Sequence, residues 1–192
     1  MQNYKLWWLL LGLAYLSVIA GCEHRPPLGE SQQDFYDVKG FLDQQIQALN
    51  TLKMRVKKQS GESRISSPRA IKDWAQELSL FTSAHINRPI FDGAYTVKET
   101  LKPVRKLVYT AKDPKLTTRE IEIIFSAAQL PDTIRFLYQK KSWFYDSERK
   151  MEMIFARSPS QKARLASYKV VGFQKSILGN CQNYSLLGLL TK

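Results

Sequence analysis

Residues 119–157 read REIEIIFSAAQLPDTIRFLYQKKSWFYDSERKMEMIFAR, and the alternation within them decides the fold. Ile121, Ile123 and Phe125 stand two apart, as do Ile134, Phe136 and Tyr138, and again Met151, Met153 and Phe155. In an extended chain every second side chain shares a face, so each trio is the apolar side of one strand. The spacing predicts strands over 120–125, 133–140, 143–146 and 149–156, with Leu130-Pro131-Asp132 as a break between the first two.

The same period extends outward. Residues 104–110 and 168–175 are β-rich, 94–101 is expected to open the sheet and 184–190 to close it, with Asp113-Pro114 and the Ser-rich stretch 158–162 as separators. Connections this short suit hairpins, and the absence of helical runs between strands disfavours a doubly wound parallel fold. Toward the N-terminus the period changes. Val38, Phe41, Leu42, Ile46, Leu49, Leu52 and Val56 recur at steps of three and four, which predicts a helix over 35–58 with Lys53, Arg55, Lys57 and Lys58 in its last turns. Gln59-Ser60-Gly61-Glu62-Ser63 breaks it, and Ser67-Pro68 starts a second helix with an apolar stripe of Ile71, Trp74, Ala75, Leu78 and Phe81. The expectation is an α+β fold: two N-terminal helices packed on an antiparallel meander of about six to eight strands, in one domain over 35–192 without internal repeats.

Alternation also defines a second sheet face. It starts polar, with Glu120, Glu122, Arg135, Glu152 and Lys169, and turns apolar at Ile124, Leu137, Phe144, Ile154, Val171 and Phe173. Cross-strand ion pairs account for the charged part. The apolar part asks for a cover: a helix or curled edge of the chain itself in the plainer account, a ligand or partner in the functional one. Those six residues are the candidate binding face.

The N-terminal end carries a different signal. Lys5 precedes an apolar run over residues 6–19, and Ile19-Ala20-Gly21-Cys22 ends it with small residues directly before a cysteine. The run is short for a spanning helix of about 20 residues and stops abruptly at Glu23-His24-Arg25-Pro26-Pro27. This resembles the lipobox of bacterial lipoprotein precursors. The resemblance implies cleavage between Gly21 and Cys22, a diacylglyceryl group on the Cys22 thiol and an acyl chain on the freed amine, and no other cofactor. Residues 1–21 are then a signal peptide and 22–34, with Pro26, Pro27 and Gly29, a lipidated tether. With two or more acyl chains the attachment is permanent. Glu23 is not the aspartate associated with inner-membrane retention in some bacteria, so the outer membrane is the expected location in the envelope.

The chain carries a formal net charge of +12, and Lys5 is the sole charged residue of 1–21, leaving +11 for the remainder. An exported protein of that charge is expected to meet anionic lipid headgroups, lipopolysaccharide phosphates or acidic polymers, not nucleic acid. Its basic residues are nevertheless scattered among acidic ones. A lipidated Cys22 leaves Cys181 without a disulfide partner, and a buried or half-buried structural thiol is expected there.

Catalytic signals are weak. His24 and His85 are the two histidines, neither with a partner at metal-ligand spacing, so no metal is expected. Ser147-Glu148-Arg149-Lys150 fits the serine-x-x-lysine pattern of penicillin-binding enzymes without its companion motifs, and it falls on a predicted turn together with Asp146. Tyr138, Trp143, Phe144 and Tyr145 gather around Lys140 and Lys141, an aromatic patch suited to sugar stacking or a membrane interface, or simply to a hairpin end.

Tether, helices and strands together resemble the small lipoproteins of Bacteroidetes-type cell envelopes. A looser similarity is to periplasmic and outer-membrane lipoprotein carriers, whose curved sheet and helices enclose a hydrophobic cavity. The resulting expectation is a non-catalytic, membrane-anchored binding or accessory module with an envelope protein partner. The alternative is a carrier of lipid or other hydrophobic cargo.

Overall fold

The computed structural model describes residues 35–127, 129–157 and 162–192. The signal peptide, the lipobox with Gly21 and Cys22, and the tether expected from the sequence lie outside the described residues. Helix α1 spans Val38–Thr51. Strands β1 (Arg55–Ser60) and β2 (Arg69–Ala70) follow, then two short helices, α2 (Trp74–Glu77) and α3 (Ser79–Ser83). The rest is a meander of β3 (Tyr95–Thr100), β4 (Lys106–Ala111), β5 (Thr118–Phe125), β6 (Pro131–Lys141), β7 (Tyr145–Arg157), β8 (Ala163–Ser176) and β9 (Cys181–Thr191). All pair antiparallel in one nine-stranded sheet of order β2-β1-β9-β8-β7-β6-β5-β4-β3. The sheet dominates the molecule and the helices are few.

Helix α1 starts where the Asp37 carboxylate accepts the Gly40 N–H at 2.8 Å and buries Val38, Leu42, Ile46 and Leu49. It ends sooner than its periodicity suggests. Lys53 takes a left-handed φ of 50°, and residues 55–60 leave the helix to pair with β9, Arg55 opposite Thr191 and Ser60 opposite Leu186. Leu49, Leu52 and Val56 fit a helix stripe, but Val56 is also an inward position of a strand, and the open edge of β9 decides between them. Leu52 is exposed as a result, and Arg55, Lys57 and Lys58 lie on a strand instead of a helix end.

The second expected helix is likewise replaced. Arg69 and Ala70, following Pro68, pair with β1, and Asp73 caps α2 by accepting the Gln76 N–H at 3.0 Å. Trp74, Leu78 and Phe81 are buried as the stripe required, across two single-turn helices. In the meander, the two strands expected over 143–146 and 149–156 are one strand, β7, and Pro131 begins β6 opposite Phe125. A proline is tolerated there because the first strand residue need not donate to the ladder.

The core lies between the helices and one sheet face. Ile121, Ile123, Ile134 and Met153 are fully buried beneath Leu42, Leu49, Trp74 and Phe81. Phe41 meets Phe155 edge-on at 5.0 Å, and Phe81 meets Phe136 and Tyr168 at 6.1 and 6.0 Å. Each such side chain contributes about 1.5–3 kcal/mol by leaving water. Gln45 fixes α1 to β8 with both ends of its amide: Nε2 donates to the Ala163 carbonyl at 3.0 Å and Oε1 accepts the Leu165 N–H at 2.9 Å. Glu77 ties α2 to two strands, accepting from the Tyr168 hydroxyl and from Lys58 Nζ at 2.6 Å. Burial, and then the Glu77 carboxylate, push the Tyr168 phenol far above its ordinary pKa. Tyr168 in turn needs Gly188, where any Cβ would stand 2.2 Å from its ring.

Candidate binding face

The helices bury their apolar residues against one face of the sheet, and the register assigns the opposite face residue by residue. One row across it runs Lys106, Ile124, Thr133, Ile154, Ser167, Leu189. The next runs Val108, Glu122, Arg135, Glu152, Lys169, Leu187, and the third Thr110, Glu120, Leu137, Lys150, Val171, Ser185. Ile124, Leu137, Ile154 and Val171 therefore do share this face. A charged row separates them into two pairs.

That charged row is a built ladder. Glu122 receives Lys106 Nζ at 3.0 Å and Arg135 Nη1 at 2.9 Å, and Arg135 Nε reaches Glu152 at 2.7 Å. Burial alone would raise the Glu122 pKa, but the hydrogen bonds from Arg135 and Lys106 outweigh it and hold the carboxyl below its ordinary range. The same two carboxylates raise the pKa of the Arg135 guanidinium. Arg135 lies in the middle of a shallow depression of about 500 Å3, walled by Glu120, Leu137, Lys150, Lys169 and Val171. A second depression of about 470 Å3 continues past Glu120 and Glu122 toward β3. A third, of about 390 Å3, continues past Lys150 and Val171 toward β9.

This face is open to solvent. Ile154 keeps 43% and Val171 39% of its surface exposed, so the internal cover expected from the sequence is not supplied by the described residues. Phe173 is half-buried in the third depression beside Tyr184. Phe144 does not lie on the face; it forms the β6–β7 turn with Trp143, 70% and 81% exposed respectively. The Ser142 hydroxyl closes that turn, donating to the Tyr145 carbonyl at 2.9 Å and accepting the Tyr145 N–H at 3.1 Å. The aromatic patch is divided as well. Tyr138 is packed against the core on the helix side with Arg149 5.3 Å from its ring, and Tyr145 carries Lys140 at 5.6 Å, while Trp143 is exposed.

The residues of the serine-x-x-lysine pattern separate. Ser147 is buried within β7, not on a turn, and strand alternation sends Lys150 to the opposite face. Asp146 and Glu148 are likewise strand residues, the latter accepting from Gln139 Nε2 at 2.8 Å. Cys181 is an exposed free thiol at the start of β9, not a buried one, because the sheet projects its last strands into solvent there. His85 accepts from Arg88 Nε at 3.2 Å, and burial, then the Arg88 charge, lowers its pKa. Among the described residues no cluster of three His, Cys, Asp or Glu side chains is placed to hold a metal, and no helix is long and apolar enough to cross a membrane.

The sequence reading missed Ile177 and Leu178, which occupy the β8–β9 turn 63% and 86% exposed. Their signal was two large apolar residues directly before Gly179-Asn180, a pair suited to turning.

Comparison with protein-family models, curated proteins and solved structures finds no match to this chain.

Proposed function

We propose that the chain is a lipoprotein of the bacterial envelope, anchored through Cys22 at the outer membrane, whose domain is a non-catalytic binding module. The observation that carries the binding part is the open sheet face. Long strands present three adjoining depressions around a pre-formed ion-pair ladder, and every described helix packs on the other side. Arg135 is held in place by two carboxylates, so a partner meets a fixed guanidinium flanked by Leu137, Val171 and Lys150. Such a face suits a protein surface with acidic and apolar groups in alternation. The space between helices and sheet, where a carrier would hold cargo, is filled by Trp74, Phe81, Phe136 and Tyr168.

The test is native mass spectrometry of the full chain extracted from membranes in mild detergent, with Leu137→Glu as comparison. A co-purifying protein lost in Leu137→Glu at unchanged Tm supports the module. A stoichiometric lipid lost in the same variant transfers the reading to a carrier, and an unmodified Cys22 thiol overturns the anchor.

A further inference from the structure

The β6–β7 and β8–β9 turns stand side by side, joined by the Ile177 N–H donating to the Phe144 carbonyl at 2.9 Å. That bond brings Trp143, Phe144, Ile177 and Leu178 together on one sheet end, all exposed. The end projects. β5 pairs with β6 only as far as Tyr138, and β1 leaves β9 at Leu186, while β6 to β9 run on to Lys141, Tyr145, Ser176 and Cys181. Lys140, Lys141 and Lys175 surround the apolar turns, with Asp146 between Lys141 and Lys175 as the acidic neighbour.

We infer that this double-turn tip inserts into the headgroup region of an anionic lipid bilayer. Four large apolar side chains on turns too narrow to cover one another, collared by lysines, match that interface chemically. Tryptophan prefers the headgroup level, the aliphatic residues reach the acyl boundary and the lysines face anionic lipid. Chain length is compatible with this placement. Phe35 packs on Tyr109, which the register carries through Ile121 and Phe136 to Met151. Met151 lies seven residues from Phe144 along the sheet, about 24 Å at ~3.4 Å per residue. Residues 22–34 reach up to about 45 Å when extended, so an anchored Cys22 and the tip can meet one membrane plane. This last step rests on the lipoprotein reading; the tip's own chemistry does not.

Trp143 supplies the probe. Trp7 and Trp8 fall in the expected signal peptide and Trp74 is fully buried, so emission lost in Trp143→Phe belongs to the tip. The full chain is bound to vesicles of phosphatidylcholine and phosphatidylglycerol, with and without brominated acyl chains, and the acyl mass on Cys22 is measured separately. The expected result is that brominated lipid removes most of the Trp143 emission and shields it from aqueous iodide. Leu178→Ser with Ile177→Ser is expected to lower that quenching several-fold, and Leu101→Ser, in the turn at the opposite end of the sheet, to leave it unchanged. A Trp143 that stays iodide-accessible and insensitive to brominated lipid overturns the tip even where Cys22 is acylated. Quenching without acylation overturns the anchor and keeps the tip.

Discussion

The two faces of the sheet are made by the same strands and differ in what they tolerate. On the helix side Ile121 and Ile123 are fully buried among aromatic rings, while one residue away Glu122 and Ile124 are half-exposed beside an ion-pair ladder. Stability belongs to the first face, while the second keeps charged and apolar side chains within reach of solvent. A single strand divides the two environments by parity.

The largest expected effect comes from removing the helix-side packing. Trp74→Ala should destabilise the domain by about 3–5 kcal/mol, and Ile154→Ala, a truncation on the open face, by only about 1 kcal/mol. Thermal unfolding of both measures the contrast, and equal losses would break it. Gly188→Ala comes next: its methyl group must displace the Tyr168 ring, and with it the bonds of Tyr168 and Glu77, so a loss of about 1–3 kcal/mol in denaturant titration is expected. An unchanged midpoint would mean that Tyr168 has room to move. The smallest effect is electrostatic. The Glu122 pKa is lower folded than unfolded, so its contribution is complete above the unfolded value of about 4.3 and disappears as pH falls through the folded value. Glu122→Gln should therefore flatten the acid limb of the stability curve below about pH 4.3 and cost only ~0–1 kcal/mol at neutral pH, the ladder being half in solvent. A wild-type acid limb identical to that of Glu122→Gln would remove the ladder from the stability account.

Much of the sheet was legible in the sequence because Ile121, Ile123 and Phe125, Ile134 and Phe136, and Met151, Met153 and Phe155 alternate strictly within their strands, and alternation reports burial directly. Two places were not legible, each for a definable reason. Leu49, Leu52 and Val56 satisfy helical spacing, while Val56 serves equally as an inward strand position, so the switch at Lys53 depends on β9, which lies at the far end of the sequence. Trp143 and Phe144 are strong strand formers placed in a turn, which put Phe144 on the wrong surface, and the polar run from Asp146 to Lys150 reads as a turn, which divided one continuous β7 into two strands. The candidate face itself was half visible. Alternation put Ile124, Leu137, Ile154 and Val171 on one face, but cross-strand register was needed to sort them into two pairs and to show the charged row between them. Whether helices cover one face or both is a property of chain path, on which a period of two is silent.

The pairing of β1 with β9 has a consequence for how the protein is made. Arg55 and Thr191 meet across nearly the whole described chain, so the edge of the sheet closes only after the far strand has arrived. Long-range pairing of this kind forms late, because the intervening chain must first be ordered. A polypeptide emerging N-terminus first therefore leaves residues 55–60 without their long partner strand until β9 follows. A product that stops before β9 leaves the facing edges of β1 and β8 unpaired, and it stays recognisable as unfinished to any protease that reads exposed strands.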